Sequence, residues 1–217
     1  MLTTLSQHPL VPVFFHPDAL YAQNLVQACY EGGMRLVEFT NRGPEAPAVF
    51  AHLRQFTQQR YPDLLLGMGT IYTAAEAELF IGLGADFVVQ PVTVPEVGEV
   101  CKRHNIPWIP GAMTPTEIFR ALELGAAAAK VFPGIALTPD FIKALRGPMP
   151  KVPLMVNGGI EPTEECLKVW FEAGATALGI VAQQFFQDKE MQDFDSVREK
   201  VAELMAVAQN HFITINR

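Results

Sequence analysis

The sequence predicts a (β/α)8 barrel of the α/β class, and three observations point to it. Eight short apolar runs alternate with stretches of helical periodicity. A glycine signal recurs ahead of every second run. The 217 residues suffice for one large core and are short for two, so residues 1–217 are read as a single barrel domain.

The runs are Leu10–Phe15, Arg35–Thr40, Leu64–Gly69, Phe87–Pro91, Trp108–Ala112, Ala128–Phe132, Leu154–Gly158 and Ala177–Val181. Near-continuous apolar character over so few residues is what a parallel strand buried on both faces requires. Between the runs, apolar residues fall three or four apart, as at Ala46, Val49, Phe50, Leu53 and Phe56, which makes one stripe on a helix. Helix starts are marked by Asp18, Gly43-Pro44, Thr73, Thr114-Pro115 and Glu161-Pro162. Gly33, Gly84, Gly125 and Gly174 precede strands two, four, six and eight, where a helix ends with positive φ. Strands joined through helices pair in parallel by right-handed crossovers. A doubly wound open sheet is disfavoured because no Gly-x-Gly-x-x-Gly follows the first strand, where Val13-Phe14-Phe15-His16 leads into the helix.

Composition narrows the function classes. Apolar residues make up 49% and charged ones 18%, which excludes a disordered chain. A net charge of −7 argues against nucleic acid or an anionic membrane as partner, and no run has the roughly eighteen apolar residues of a membrane span. Met1 to Pro9 lacks the basic-then-apolar pattern of a signal peptide. Cys29, Cys101 and Cys166 are odd in number and far apart, which fits reduced thiols in a cytoplasm better than disulfides or zinc. Cys101 and His104 are three apart, but no second pair completes a metal site, so neither metal nor cofactor is expected.

Two strands break the apolar rule. Glu38, Thr40 and Arg42 follow a two-residue spacing on strand two, hence one face, near its C-terminal end. Lys130 stands alone in the run Ala126-Ala127-Ala128-Ala129-Lys130-Val131-Phe132. One account is an ion pair that merely stabilises the barrel interior. The other is chemical, since active sites of this fold lie at the C-terminal strand ends. Apolar surroundings penalise an ammonium, and the free amine is the nucleophile that forms Schiff bases with carbonyls. A neighbouring carboxylate can shuttle protons, and the planar fork of Arg42 suits a substrate carboxylate. Gly67-Met68-Gly69-Thr70 and Asn157-Gly158-Gly159-Ile160 close strands three and seven with open backbone. Gly158-Gly159 fits either a phosphate loop or a tight turn.

Val37-Glu38-Phe39-Thr40-Asn41-Arg42, Gly67-Met68-Gly69-Thr70, Ile109-Pro110-Gly111-Ala112-Met113-Thr114, Lys130-Val131-Phe132-Pro133 and Asn157-Gly158-Gly159-Ile160 occur in that order. The ordered set resembles the class I 2-keto-3-deoxy-6-phosphogluconate (KDPG) aldolase family, which includes 4-hydroxy-2-oxoglutarate (KHG) aldolases. The resemblance implies a cytoplasmic homotrimer of carbohydrate metabolism, of the Entner-Doudoroff pathway. It implies a cofactor-free enzyme whose partners are a small anionic 2-keto acid and pyruvate, the other product being glyceraldehyde 3-phosphate or glyoxylate. By position, Lys130 would be the Schiff-base nucleophile and Glu38 the general acid/base acting through a water. Arg42 and Thr70 would hold the pyruvate carboxylate, Pro91 and Phe132 would line the pocket, and Asn157 would contact substrate. Gly158, Gly159, Gly179 and Ile180 would meet the phosphate.

Two positions depart from the family pattern. Asn157 stands where threonine is usual, and Gly179-Ile180-Val181 replaces Gly-Gly-Ser, which removes a hydroxyl and brings β-branched side chains that should crowd the phosphate cup. Two other classes use the same barrel. In a sugar-phosphate isomerase or epimerase, Glu38 would be the base and Lys130 an electrostatic clamp. In a metabolite-binding barrel without catalysis, both would be structural.

Overall fold

A computed structural model describes residues 1–186 and 193–215 of the chain, with side chains through residue 210. Nine parallel strands run β1 Leu10–Phe14, β2 Leu36–Thr40, β3 Leu65–Gly69, β4 Phe87–Val89, β5 Trp108–Ile109, β6 Gly111–Ala112, β7 Ala129–Val131, β8 Leu154–Asn157 and β9 Ala177–Val181. Helices α2 Ala19–Glu31, α3 Ala46–Arg60, α4 Ala74–Gly82, α5 Pro95–Arg103, α6 Pro115–Glu123, α7 Gly134–Leu145 and α8 Glu164–Glu172 join them. A short α1 Leu2–Gln7 precedes, and a 3-10 turn Ala182–Phe185 and α9 Phe194–Ile215 follow. The sheet order is β5-β4-β3-β2-β1-β9-β8-β7-β6.

The ninth strand arises because the fifth expected strand is divided at Pro110, which has no N–H to give. Its carbonyls still serve both neighbours. Val88 and Gln90 donate to Pro107 and Ile109 at 3.0 Å on one side. On the other, Ala127 donates to Trp108 (2.8 Å), Lys130 to Pro110 (2.8 Å) and Phe132 to Ala112 (3.2 Å). The barrel therefore closes along this seam, and the Pro110 carbonyl anchors the backbone of Lys130.

Strand residues alternate between two cores. Val11, Leu36, Phe87, Ile109, Met155 and Ala177 fill the barrel axis, where Leu5 of α1 packs with them. Val37, Phe39, Leu66, Val88, Val131 and Ile180 pack outward against the helices. Leu36 and Glu38 thus share the inward face of β2, as Ala128 and Lys130 do around β7.

Local signals account for most helix ends. The Asp18 carboxylate accepts from Leu20 and Tyr21 N–H, and Thr73 with Glu76 and Thr114 with Glu117 form capping boxes. Gly33, Gly84, Gly125 and Gly174 all have φ between 92° and 108°, as their spacing implied. Two starts differ. Helix α3 begins at Ala46 behind an uncapped Glu45, and Thr163, directly after Glu161-Pro162, caps α8 because its hydroxyl can accept from Cys166 N–H. Cys29, Cys101 and Cys166 are all free; burial raises the Cys29 thiol and pushes Cys101 up to about 12. Among the described residues no helix is long and apolar enough to cross a membrane.

The seam is tight at Gly111, where a Cβ would lie 2.1 Å from the Pro91 carbonyl oxygen. Gly111→Ala should therefore cost about 1–3 kcal/mol, read as a lower urea midpoint at unchanged slope. An unaltered midpoint would show that the seam yields freely.

Candidate active site

The barrel axis changes character toward the C-terminal strand ends. Above the apolar plug, Glu38 from β2, Lys130 from β7 and Asn157 from β8 point inward together. Lys130 Nζ donates to Glu38 Oε1 at 3.2 Å, and Asn157 Nδ2 donates to Glu38 Oε2 at 3.5 Å. Their exposures are 6%, 1% and 4%, so the group lies in a low-dielectric interior where a lone charge would be costly.

Absent side chains make the room. Glu38 is paired across the sheet with Gly67, and a Cβ on Gly69 would lie 2.1 Å from Glu38 Oε1. Asn157 is paired with Gly179, where a Cβ would lie 2.1 Å from Asn157 Nδ2. Gly179 thus has a steric role beneath Asn157.

Other buried polar side chains are satisfied structurally. Thr40 donates to the Phe14 carbonyl at 3.1 Å. Gln90 donates to Ile71 O and accepts from Trp108 Nε1. Asn157 Oδ1 differs, being buried with no hydrogen-bond partner. Buried acceptors are nearly always paired, so this orphan beside a lysine and a carboxylate is an unusual feature of the site. The sequence showed Asn157 only through its place before a diglycine; the vacancy at Oδ1 emerges from the packing.

The remaining expected residues surround the mouth. The Phe132 ring centroid lies 5.6 Å from Lys130 Nζ, and at 37% exposure the ring marks the open side. Pro91 ends the β4 segment half-buried, and Thr70 follows β3 in the left-handed region at φ 62°. Arg42 requires a correction: β2 ends at Thr40, and Asn41 turns away to bond Glu76 at 3.1 Å. Arg42 therefore lies exposed on the loop just beyond β2 and not on the strand itself. Gly158 and Gly159 both have positive φ, 87° and 85°. Ile180 is also corrected, because its side chain is fully buried against the helices and crowds no cup; only the exposed Val181 can. A cleft at the opposite end, lined in part by Pro9, Arg146, Lys151 and Thr176, lacks such chemistry, since the Arg146 guanidinium is committed to the carbonyls of Val152 and Gly174.

A lysine beside a carboxylate at the C-terminal mouth of a parallel barrel suits carbonyl chemistry. The chain matches the KDPG and KHG aldolase family over residues 2–200. It belongs to that family. It is 39% identical over 152 residues to the 2-dehydro-3-deoxy-phosphogluconate aldolase of Treponema pallidum, 70% of each chain. It is 34% identical over 180 residues to the 2-dehydro-3-deoxy-6-phosphogalactonate aldolase of Escherichia coli, 79% of this chain and 82% of that one. The solved KDPG aldolase of Legionella pneumophila shares the fold, with a TM-score of 0.82 at 23% identity over 94% of this chain and 97% of that one. That structure holds pyruvate as a covalent carbinolamine intermediate. Membership in the KDPG and KHG aldolase family makes this chain an aldolase, a carbon–carbon lyase, and sets aside the isomerase and binding-barrel readings.

Lys130→Met should destabilise this aldolase by about 3–5 kcal/mol, because it strands a buried carboxylate. Adding Glu38→Gln should restore most of the loss in urea unfolding. Equal stability of Lys130→Met and wild type would show that the two groups are not coupled.

Proposed function

We propose that Lys130 carries the aldolase reaction as its Schiff-base nucleophile and that Glu38 moves the protons. The substrate is a 2-keto-4-hydroxy acid of the KDPG or KHG type. The observation that supports this reading is the 3.2 Å contact of Lys130 Nζ with Glu38 at a buried barrel mouth.

Proton transfer from the ammonium to Glu38 frees the amine, which adds to the C2 ketone. Glu38 returns that proton to the carbinolamine hydroxyl, which leaves as water to give an iminium and the free carboxylate. The C4 hydroxyl proton passes to Glu38 through a water as the C3–C4 bond breaks, its electron pair flowing into the iminium to give an enamine. The aldehyde departs, Glu38 returns a proton to C3, and water hydrolyses the imine to pyruvate and free Lys130. The water lost on imine formation is regained, so one substrate gives one pyruvate and one aldehyde with no other reactant.

The open Asn157 Oδ1 is free to accept a hydrogen bond from the substrate. Thr70 and Arg42 serve the pyruvate carboxylate, with Pro91 and Phe132 as walls, in the places the family resemblance suggests. The resemblance also puts the phosphate of such substrates at Gly158, Gly159, Gly179 and Ile180, of which Ile180 could contribute only backbone. A cytoplasmic, single-domain homotrimer completes the reading, and light scattering at three chain masses checks the assembly.

Borohydride reduction with pyruvate should fix a pyruvyl group on the peptide containing Lys130. Glu38→Gln should lower kcat by about 10²–10⁴-fold while leaving that peptide labelled. Labelling of another lysine, or none, would refute the nucleophile assignment.

A further inference from the structure

The two residues assigned above to the pyruvate carboxylate sit on adjoining loops, Arg42 just past β2 and Thr70 just past β3. Asn41 joins these loops twice. Its N–H donates to the Gly69 carbonyl at 2.9 Å, which extends the β2–β3 ladder by one step. Its side-chain Nδ2 reaches further and donates to Glu76 Oε1 at 3.1 Å. Glu76 in turn holds the Thr70 loop, because its Oε2 accepts from Tyr72 N–H at 2.8 Å and Thr73 N–H at 3.0 Å. One carboxylate therefore fastens both loops, each oxygen serving one of them.

The helix cap does not require this link. Thr114 and Glu117 build the same capping box on α6, with Glu117 Oε2 accepting from Met113 N–H at 2.8 Å and Thr114 N–H at 2.9 Å. Among the described residues, no side chain of a neighbouring loop donates to Glu117. The Asn41–Glu76 link bears instead on Thr70. This β-branched residue stands at φ 62°, a conformation that persists only where its surroundings impose it. The next carbonyl, Ile71 O, accepts from Gln90 Nε2 at 2.9 Å, and the fully buried Gln90 is itself held by Trp108 Nε1 at 2.8 Å. Thr70 is thus clamped between Asn41 at Gly69 on one side and Gln90 and Glu76 on the other.

We propose that Asn41 and Glu76 are positioning residues for the pyruvate carboxylate: their hydrogen bond fixes the Arg42 loop against the Thr70 loop. The proposal rests on the assignment of Arg42 and Thr70 to that carboxylate. Both positioning residues act through those two and not on the reacting atoms. Untied loops would still offer the same donors, but binding would first have to order them. That weakens the hold on pyruvate without altering the electron flow at Lys130 and Glu38.

Methyl-proton exchange of pyruvate in D2O, followed by NMR over a range of pyruvate concentrations, reads KM and kcat separately. Asn41→Ala should raise KM by about tenfold and change kcat by less than about twofold. Asn41→Asp, which sets two carboxylates against each other, should raise KM at least as much. Adding Glu76→Gln to Asn41→Asp should bring KM back to within about threefold of wild type, because the glutamine oxygen keeps the cap while its amide donates to the new carboxylate. Adding it to Asn41→Ala should restore nothing. A loss of stability alone would lower the active fraction, hence kcat, and leave KM where it was. Arg42→Met and Thr70→Ala should each raise KM. If they do and Asn41→Ala does not, or if Glu76→Gln fails to rescue Asn41→Asp or also rescues Asn41→Ala, the positioning role alone is overturned. If neither Arg42→Met nor Thr70→Ala raises KM, the carboxylate assignment beneath it falls as well.

Discussion

The contact between Glu38 and Lys130 constrains everything around it. Two charges taken out of water are tolerated only when each meets the other and the remaining polar atoms are placed. The barrel meets this demand by omission. Gly67, Gly69, Gly111 and Gly179 leave space on the strands beside the pair, and the Pro110 carbonyl at the seam secures the Lys130 backbone. Beneath, a packed apolar plug fills the axis, and the pair sits toward the C-terminal mouth. The same enclosure that makes the pair expensive brings amine and carboxylate within proton-transfer distance.

The pocket divides into two halves of different chemistry. One holds the Lys130 amine, the Glu38 carboxylate and the unpartnered Asn157 amide oxygen. The other is bounded by the Gly158-Gly159 turn, over which Phe132 and Ile135 lie. Membership in an aldolase family speaks to the first half, which is where the relatives' shared reaction takes place.

How much was legible in the sequence follows the same division. Glu38 and Lys130 stood out because a charge in a short apolar run violates burial, and their strand position told where they would meet. Helix ends with strong chemistry were equally readable, as at Asp18, Thr73 and Thr114. The strand placement of Arg42 misled, because a two-residue spacing indicates one face only while the strand lasts, and β2 stops at Thr40. Ile180 misled for the converse reason: β9 persists through it, and alternation sends its side chain to the helices. The break at Pro110 left no sequence signal beyond the proline itself. Nor did the orphaned Asn157 Oδ1, since an unmet acceptor is a property of packing around a residue. Ile135 was invisible because its importance lies in covering Gly159 across a turn.

Enamine formation on Lys130, with Glu38 as the proton carrier, is the claim most directly open to measurement. Exchange of the pyruvate methyl protons in D2O, followed by NMR, requires the imine and the base but no aldehyde, so it is independent of the tail. Wild-type enzyme should exchange them, Lys130→Met should abolish the exchange, and Glu38→Gln should slow it by orders of magnitude. Exchange that persists in Lys130→Met, or none in the wild type, would contradict the account.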